Sequence, residues 1–147
     1  MSALQGIRII ELPGDSTAFA GKLLADMGAD AIVVEPPAGA QARSYPPFRN
    51  DQPDPEQSLH WWHFYTSRRG ITLDLGSEVG VEAFLELIAG ADVLLSGGDG
   101  VQLPDRLSPE TLAAANPRLV HAAISGFGRD SDRRDEPVTD LTILAGG

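Results

Sequence analysis

The sequence contains no cysteine, and this absence narrows the available chemistry. Disulfide bonds, thiolate metal sites and a cysteine nucleophile are all excluded. No apolar run approaches the ~20 residues that a membrane-spanning helix needs, so we predict no membrane partner. The opening residues show neither the basic segment nor the apolar core of a signal peptide, and we therefore expect a cytoplasmic protein.

Positive charge is also scarce. The 147 residues carry 11 Lys and Arg against 21 Asp and Glu, which gives a formal net charge of -10. Because a duplex-binding domain needs a basic face to displace counterions, we predict no nucleic-acid partner. Apolar residues make up 42% of the chain and charged residues 22%, as is ordinary for a globular domain, and the length suits one domain over residues 1–147.

Strand patterns and helix patterns alternate along the chain. Strands are predicted at residues 7–12, 30–35, 71–75, 92–95 and 119–124. Helices are predicted at about 17–27 and 59–65, after Ser77, after Ser108 and from 141, while residues 36–57 are predicted to form a long loop. This alternation predicts an α/β fold: a Rossmann-like open parallel sheet with helices on both faces.

Caps and apolar stripes support the individual helices. The predicted caps are Asp15 or Ser16, Ser77, Ser108 and Asp140. The predicted apolar stripes are Phe19, Leu23, Leu24 and Met27 in the first helix, and Val81, Phe84, Leu85 and Ile88 in the helix after Ser77. The sequence stops soon after the last helix begins. Because a domain seldom ends at the start of an apolar helix, we expect this chain to be the amino-terminal part of a longer protein.

Ligands of open α/β sheets bind outside the carboxyl ends of the strands, which directs attention to the segments that follow them. The turn from Pro13 to Ser16 precedes a helix amino terminus, which is a natural anion site. It does not match the dinucleotide fingerprint G-x-G-x-x-G, and Asp15 would repel a phosphate. A plain turn with a helix cap is the competing interpretation.

Other residues with possible chemistry carry weaker signals. Arg68 and Arg69 could bind phosphates bidentately or form a solvated surface pair. The aromatic residues of the segment 60–65 are best explained by core packing. His60 and His63 would supply at most two metal ligands, so we predict no metal site. His121 is predicted to be a packed or edge histidine. From the residues alone we predict an α/β domain with a phosphate-bearing ligand.

Six segments, taken in order, resemble the class III CoA-transferase family, which includes formyl-CoA and carnitine CoA-transferases and α-methylacyl-CoA racemases. The segments are LQGIRIIEL at 4–12, LLADMGADAIVVEPP at 23–37, RRGITLDL at 68–75, ADVLL at 91–95, NPRLV at 116–120 and ISGFG at 124–128. The resemblance covers essentially the whole chain, and its strength is in the ordered set rather than in any single motif.

The resemblance implies acyl-CoA chemistry. Members transfer CoA through an aspartate that attacks the thioester carbonyl, which is nucleophilic catalysis by a carboxylate. In the family this aspartate lies some tens of residues beyond the segment matching 140–147, so no catalytic residue is expected here, and Asp140 is expected to be an active-site neighbour. The resemblance implies that CoA or an acyl-CoA is a substrate and that a carboxylic acid is the second substrate. It implies no permanently bound cofactor. It also implies that the full-length protein forms an interlocked homodimer. The implied CoA-binding positions are Ser16, Thr17, Arg69, Leu73, Asp74, Leu75, Gly97, Gly98 and Arg106.

Some positions depart from the family pattern. The family's N-F-x-P-G loop is replaced by Gly97-Gly98-Asp99-Gly100, and the T-G-P that often follows S-G-F-G is replaced by residues 130–132. A basic residue that some members carry after the second strand is Pro36 here. Each change removes a CoA contact or adds negative charge, which motivates the alternative of a degenerate, non-catalytic homologue. Racemase chemistry is a third interpretation, although Thr139 stands where racemases carry a catalytic histidine.

Overall fold

A single parallel sheet organises the chain in this computed structural model, which describes residues 2–134 and 136–146. Its strands are β1 (Arg8–Glu11), β2 (Asp30–Glu35), β3 (Arg69–Thr72), β4 (Val93–Gly97) and β5 (Val120–Ile124). They lie in the order β3-β2-β1-β4-β5, and every neighbouring pair is parallel. This is the Rossmann order, and the direction of strand addition reverses between β1 and β4, at the point where such sheets bind ligands.

Helices cover both faces of the sheet, as predicted. They are α1 (Asp15–Asp26), α2 (Leu59–Phe64), α3 (Glu78–Ala89), α4 (Pro109–Ala115) and α5 (Asp140–Gly146), with short 3-10 turns at Gln41–Ser44, Arg49–Asp51 and Asp105–Leu107. One face buries Ile10 and Leu94 against Phe84 of α3 and Leu112 of α4. The opposite face packs against α1 and α2. Alternate strand residues therefore point into two separate cores.

The predicted caps hold for two helices and fail for two others. The side chains of Ser77 and Ser108 accept the amide hydrogens expected of helix caps, at 3.0 and 3.3 Å. At α1 the capping position is Gly14, which offers no side chain, so the prediction of Asp15 or Ser16 was wrong. At α5 the amide of Thr142 donates to Oγ1 of Thr139 at 3.1 Å, so Asp140 is the first helical residue and not the cap.

Three of the four residues in the apolar stripe predicted for α1 lie on its outer side, whereas Leu24 is partly buried and packs against the core. Phe19 is 57% exposed, and Leu23 and Met27 are each 47% exposed. The buried side of α1 consists of small residues instead, among them Gly21, because the helix crosses closely over the side chain of Glu11. A Cβ atom at Gly21 would collide with the Glu11 carboxylate. Helical spacing therefore identified an apolar face of α1 but did not show whether that face is turned toward the sheet or toward the outside.

The segment 36–57, predicted as a loop, is tied down at both ends. Glu35, at the end of β2, is buried and accepts two hydrogen bonds from Arg43 at 2.6 and 2.8 Å and one from the Ala40 amide at 3.0 Å. Burial opposes ionisation of Glu35, but these hydrogen bonds hold its pKa below the ordinary value. An isolated bridge joins Phe48 to Ser58 at the other end. The segment is therefore an ordered part of the carboxyl edge.

Candidate functional site

Two clefts open at the carboxyl edge of the sheet. The first, which we call the switch-point cleft, has a volume of about 210 Å³ and lies beside the turn after β1. The second, which we call the β4–β5 cleft, has a volume of about 570 Å³ and lies beyond the ends of β4 and β5. Asp99, between the two, contributes to both linings. These are the positions at which open α/β sheets bind ligands.

A carboxylate of the chain itself occupies the amino terminus of α1. Asp99 accepts from the Ser16 amide at 2.8 Å through Oδ2 and from the Ser16 hydroxyl at 2.7 Å through Oδ1. A helix amino terminus favours a negative charge because its amides are unpaired and its dipole is positive. Asp99 therefore fills the position that receives a phosphate in many Rossmann folds. The sequence marked Asp99 as a departure but gave no sign of this contact.

Glycines allow the two turns at this point to approach each other. A Cβ atom would lie 2.8 Å from Oδ1 of Asp99 if placed on Gly14, and 2.7 Å from the same atom if placed on Gly97. A Cβ atom on Gly100 would collide with the carbonyl oxygen of Pro13. The absence of side chains at these positions is what lets Asp99 reach α1.

The two predicted CoA-binding residues of the first turn, Ser16 and Thr17, differ in burial and in hydrogen-bond partners. Ser16 lies at the carboxyl edge, where its hydroxyl and amide both bind Asp99. Thr17 is fully buried, and its hydroxyl donates to the carbonyls of Leu12 at 3.0 Å and Gly14 at 3.1 Å. In this conformation Thr17 braces the turn between β1 and α1 and does not face either cleft.

The predicted residues after β3 form a separate cluster. The Leu73 amide donates to the Glu35 carbonyl at 2.9 Å, and Leu75 is buried in the core with α3. Oδ1 of Asp74 accepts from the Gly76 amide at 2.9 Å, and Arg106 donates to the Gly76 carbonyl. The structure thus brings these positions together at the carboxyl edge, although they do not line either of the two clefts.

Arg69 lies at the opposite end of the sheet. As the first residue of β3, it binds Oδ1 of Asp30 at 2.6 Å, and Oδ2 of Asp30 accepts from Arg8 at 2.9 Å. Asp30 begins β2 and Arg8 begins β1, so this network marks the amino edge. The structure does not bring Arg69 to the other CoA-binding positions expected from the resemblance.

Arg68 is buried in an ion pair with Glu11. Their side chains are 1% and 0% exposed, and Arg68 also donates to the Ala18 carbonyl at 3.1 Å. Burial raises the pKa of Glu11 to about 7, against the opposing charge and hydrogen bond of Arg68. Both predictions for Arg68, a phosphate contact and a solvated surface pair, are therefore wrong. The sequence held one sign of this ion pair: Glu11 is a charged residue at the carboxyl end of strand β1, directly after the apolar residues Ile9 and Ile10.

Arg68 ends a stack that joins the loop, α2 and the sheet. The guanidinium of Arg43 lies 4.1 Å from the ring centre of Trp61, which stacks on Tyr65 at 4.0 Å, and Arg68 lies 4.5 Å from the Tyr65 ring centre. Each guanidinium is attracted to the face of the ring next to it through the ring quadrupole. Core packing is confirmed for Tyr65, whereas Trp62 is 44% exposed.

His60 and His121 are partly buried, whereas His63 is exposed. His60 lies 4.6 Å from the ring centre of Phe64, and His63 lies 4.8 Å from the same ring. Within residues 2–134 and 136–146 no three His, Asp or Glu side chains are grouped so that they could hold a metal ion. His121 is half-buried, contacts the Ser96 hydroxyl at 2.9 Å, and has its pKa lowered by burial and by the charge of Arg129.

The β4–β5 cleft contains the remaining predicted positions. Gly97 and Gly98 line it, together with Arg129 and Arg134 from the segment that follows β5. Its wall includes Val138, two residues before Asp140. Asp140 itself is exposed at the start of α5 and does not line the cleft. No helix within the described residues is long and apolar enough to cross a membrane.

Comparison with proteins of known sequence gives relatives with consistent names. The chain is 35% identical over 143 residues to a succinyl-CoA:(R)-benzylsuccinate CoA-transferase subunit, BbsE, of Thauera aromatica, which covers 94% of this chain and 34% of that protein. It is also 35% identical to a succinyl-CoA:mesaconate CoA-transferase of Haloarcula hispanica, over 100% of this chain and 39% of that protein. The chain thus spans little more than a third of the length of these relatives.

Solved structures agree with the fold. A CaiB/BaiF family protein from Brucella suis superposes with a TM-score of 0.84 at 28% identity, over 99% of this chain and 39% of that one. The hypothetical protein Rv3272 of Mycobacterium tuberculosis superposes with a TM-score of 0.83 at 26% identity, over 99% of this chain and 40% of that one. The family model for CoA-transferase family III matches residues 4–147. The chain therefore belongs to CoA-transferase family III.

Proposed function

We propose that this chain is the CoA-binding part of a transferase that moves CoA between an acyl-CoA and a carboxylic acid. The observation that carries the proposal is the sequence match, over 94% or more of this chain, to proteins named as CoA-transferases. The Rossmann order supports it, because sheets of this order bind ligands at the carboxyl edge, where Ser16, Gly97 and Gly98 lie. CoA serves as a substrate in this proposal and not as a permanently bound cofactor.

The nucleophile of the proposed reaction lies outside residues 1–147. A carboxylate attacks the thioester carbonyl of the acyl-CoA, forms an acyl anhydride and releases CoA as a thiolate. The thiolate then attacks the carbonyl of the enzyme's carboxylate, giving an enzyme–CoA thioester and releasing the donor acid. The acceptor acid takes CoA by the same two steps in reverse. We further propose that the complete protein is a cytoplasmic, interlocked homodimer and that residues 1–147 alone show no turnover.

One observation favours a second function, a non-catalytic homologue that binds CoA weakly or serves in assembly. Asp99 occupies the amino terminus of α1, where a phosphate would otherwise be favoured. The same carboxylate adds negative charge to both clefts. A ligand as anionic as CoA would be repelled there unless its phosphates are held elsewhere.

Mass spectrometry of the full-length protein incubated with an acyl-CoA distinguishes the two functions. A transferase should gain the mass of covalently attached CoA, and it should form a new acyl-CoA when a second carboxylic acid is added. A chain of residues 1–147 should bind CoA by calorimetry without forming product. If the full-length protein gives neither adduct nor product with a panel of succinyl-, formyl- and acetyl-CoA, the non-catalytic function is favoured.

A further inference from the structure

The switch-point cleft is small and largely apolar. Its volume is about 210 Å³, and its lining includes Pro13, Pro36 and Val101 together with the rings of Tyr45 and Tyr65. Because a dry apolar cavity of about 150 Å³ takes up benzene, this cleft has room for a group of about four to eight carbon atoms. It is too small for a whole molecule of CoA and therefore holds one part of a substrate at most.

The wall that segment 36–57 contributes to this cleft is held in place by Arg43. The guanidinium of Arg43 donates to Glu35 at the end of β2 and to Oε1 of Glu56 at 2.8 Å, and it also lies over the Trp61 ring. Residues just before and just after Arg43 line the cleft, so these contacts fix its width. The cleft is therefore preformed and selects a ligand by size and charge.

Two carboxylates give the switch-point cleft a negative charge. Among the described residues of its lining, Asp15 and Asp99 carry charge, and no lysine or arginine is present. Their hydrogen-bond donors are uncharged: the Tyr45 hydroxyl donates to Oδ2 of Asp15 at 3.1 Å, and Ser16 donates to Asp99. Within residues 2–134 and 136–146, neither carboxylate forms an ion pair. The amino terminus of α1 supplies the equivalent of about half a positive charge, which does not offset two carboxylates.

The two tyrosine hydroxyls of the cleft respond to this charge. Burial raises the pKa of Tyr45, and the charges of Asp15 and Asp99 raise it further. The pKa of Tyr65 is raised mainly by burial, with contributions from the charges of Glu11 and Asp15. Both hydroxyls therefore stay neutral, and the cleft disfavours an additional negative charge at two points of its wall.

This charge excludes some parts of the substrates and admits others. The phosphates of CoA are anions, and so is the second carboxylate of a dicarboxylic acid, so both are repelled from a cleft whose negative charge is not offset. The acyl chain of a monocarboxylic acid is uncharged and apolar beyond its reacting carbonyl. Such a chain matches the cleft in size, lining and charge.

We propose that the switch-point cleft receives the acyl chain of the substrates, and that this chain is short and uncharged, so that the acids which exchange CoA are monocarboxylic and not dicarboxylic. The exchange of CoA between acids rests on the proposed function. The class of acid rests on the volume, the apolar lining and the carboxylates of the cleft. Asp15 is the residue that determines this specificity, because it lines the switch-point cleft and not the β4–β5 cleft.

A matched pair of donors tests the class of acid in the full-length protein. Butyryl-CoA and succinyl-CoA have the same number of acyl carbons, and they differ in a terminal methyl group against a terminal carboxylate. Mass spectrometry at low ionic strength measures the second-order rate constant with which each donor forms the covalent CoA adduct. We expect butyryl-CoA to react about 10-fold faster or more, because the carboxylates of the cleft repel the end of the succinyl chain.

The variant Asp15→Asn removes one of these charges and keeps an acceptor for the Tyr45 hydroxyl. We expect it to raise the rate constant for succinyl-CoA by about 3-fold or more and to change that for butyryl-CoA by less than about 2-fold. Asp51→Asn is the matched control. Asp51 is exposed in segment 36–57 but does not line the cleft, and asparagine tolerates its positive φ of 53°. This variant should change neither rate constant by more than about 2-fold.

The remaining outcomes separate this inference from the proposed function. If the unmodified protein reacts with succinyl-CoA as fast as with butyryl-CoA or faster, the inference is overturned while the proposed function stands. The same holds if Asp15→Asn changes both donors by one factor, or if Asp51→Asn favours succinyl-CoA as much as Asp15→Asn does.

An absence of any adduct with these donors, and with formyl-CoA and acetyl-CoA, would mean that the proposed function fails. Calorimetric titration with butyryl-CoA and succinyl-CoA then tests the cleft by itself. Tighter binding of butyryl-CoA, with a difference that Asp15→Asn narrows, would support the charge selectivity of the cleft. Equal binding of the two, or no binding, would overturn the inference as well.

Discussion

Arg68 and Arg69 are neighbours in the sequence, yet one forms a buried ion pair and the other an exposed one. The Arg68 side chain is 1% exposed and neutralises a glutamate inside the layer between β1 and α1, whereas that of Arg69 is 63% exposed on the surface. Asp99 lies between these extremes, as an exposed carboxylate that caps a helix. The contribution of a charged contact to stability therefore depends on whether the remaining partner is buried or exposed to water when the other is removed.

Replacing Arg68 should produce the largest loss of stability. Arg68→Met keeps the apolar stem but leaves Glu11 buried without its counter-charge, which costs about 3–5 kcal/mol in comparable pairs. Urea denaturation monitored by circular dichroism measures the change. The double variant Glu11→Leu with Arg68→Met should recover most of the loss, because it removes both buried charges. A loss under about 1 kcal/mol in Arg68→Met at pH 8, without uptake of a proton by Glu11, would mean that Glu11 is not desolvated as the structure indicates.

The ionisation of Glu11 should give a smaller, pH-dependent effect. Because burial raises its pKa from 4.5 to about 7, the folded chain binds this proton more tightly than the unfolded chain. The stability from this group is fully present below about pH 4.5 and is lost as pH rises through 7, by up to about 3 kcal/mol. Glu11→Gln should flatten this dependence in unfolding curves measured between pH 5 and 8. Parallel curves for both proteins would contradict the raised pKa.

Much of this architecture could be predicted from the sequence because it depends on local periodicity. The alternation of apolar strands with capped helices specified the Rossmann-like sheet, and Ser77 and Ser108 cap the helices as expected. Helical spacing found the apolar stripe of α1 but could not show which side faces the sheet. The side chain of Glu11, which projects from a strand toward Gly21, decides that.

The charged contacts of the site depend on long-range partners, which no local pattern encodes. Arg68 meets Glu11 across 57 positions, and Ser16 meets Asp99 across 83. The resemblance supplied positions along the chain but not their orientation, so it could not show that Thr17 turns inward. It also placed Arg69 with the CoA-binding positions, although the parallel strands put its residue at the other end of the sheet.

Removing the Asp99 carboxylate should have an intermediate effect. Asp99→Ala leaves the amino terminus of α1 without a side-chain acceptor, and loss of such a cap costs about 1 kcal/mol. Asp99→Asn is the matched control, since it retains an acceptor and removes only the charge, and it should lose less. Thermal unfolding of the two variants measures the difference. Equal and negligible losses in both would show that the contact with Ser16 does not persist in solution.

Replacing Arg69 should change stability least. Arg69→Gln breaks the contact with Asp30, but that carboxylate keeps its bond to Arg8 and remains in contact with water. Exposed pairs of this kind contribute under about 1 kcal/mol, because solvent screens the charges and two long side chains must be ordered. The same urea titration used for Arg68→Met supplies the measurement, and CoA titration adds a functional readout that should not change. A loss of CoA affinity in Arg69→Gln would place this arginine with the ligand after all, and the contrast between the two neighbours would then be one of function and not of burial.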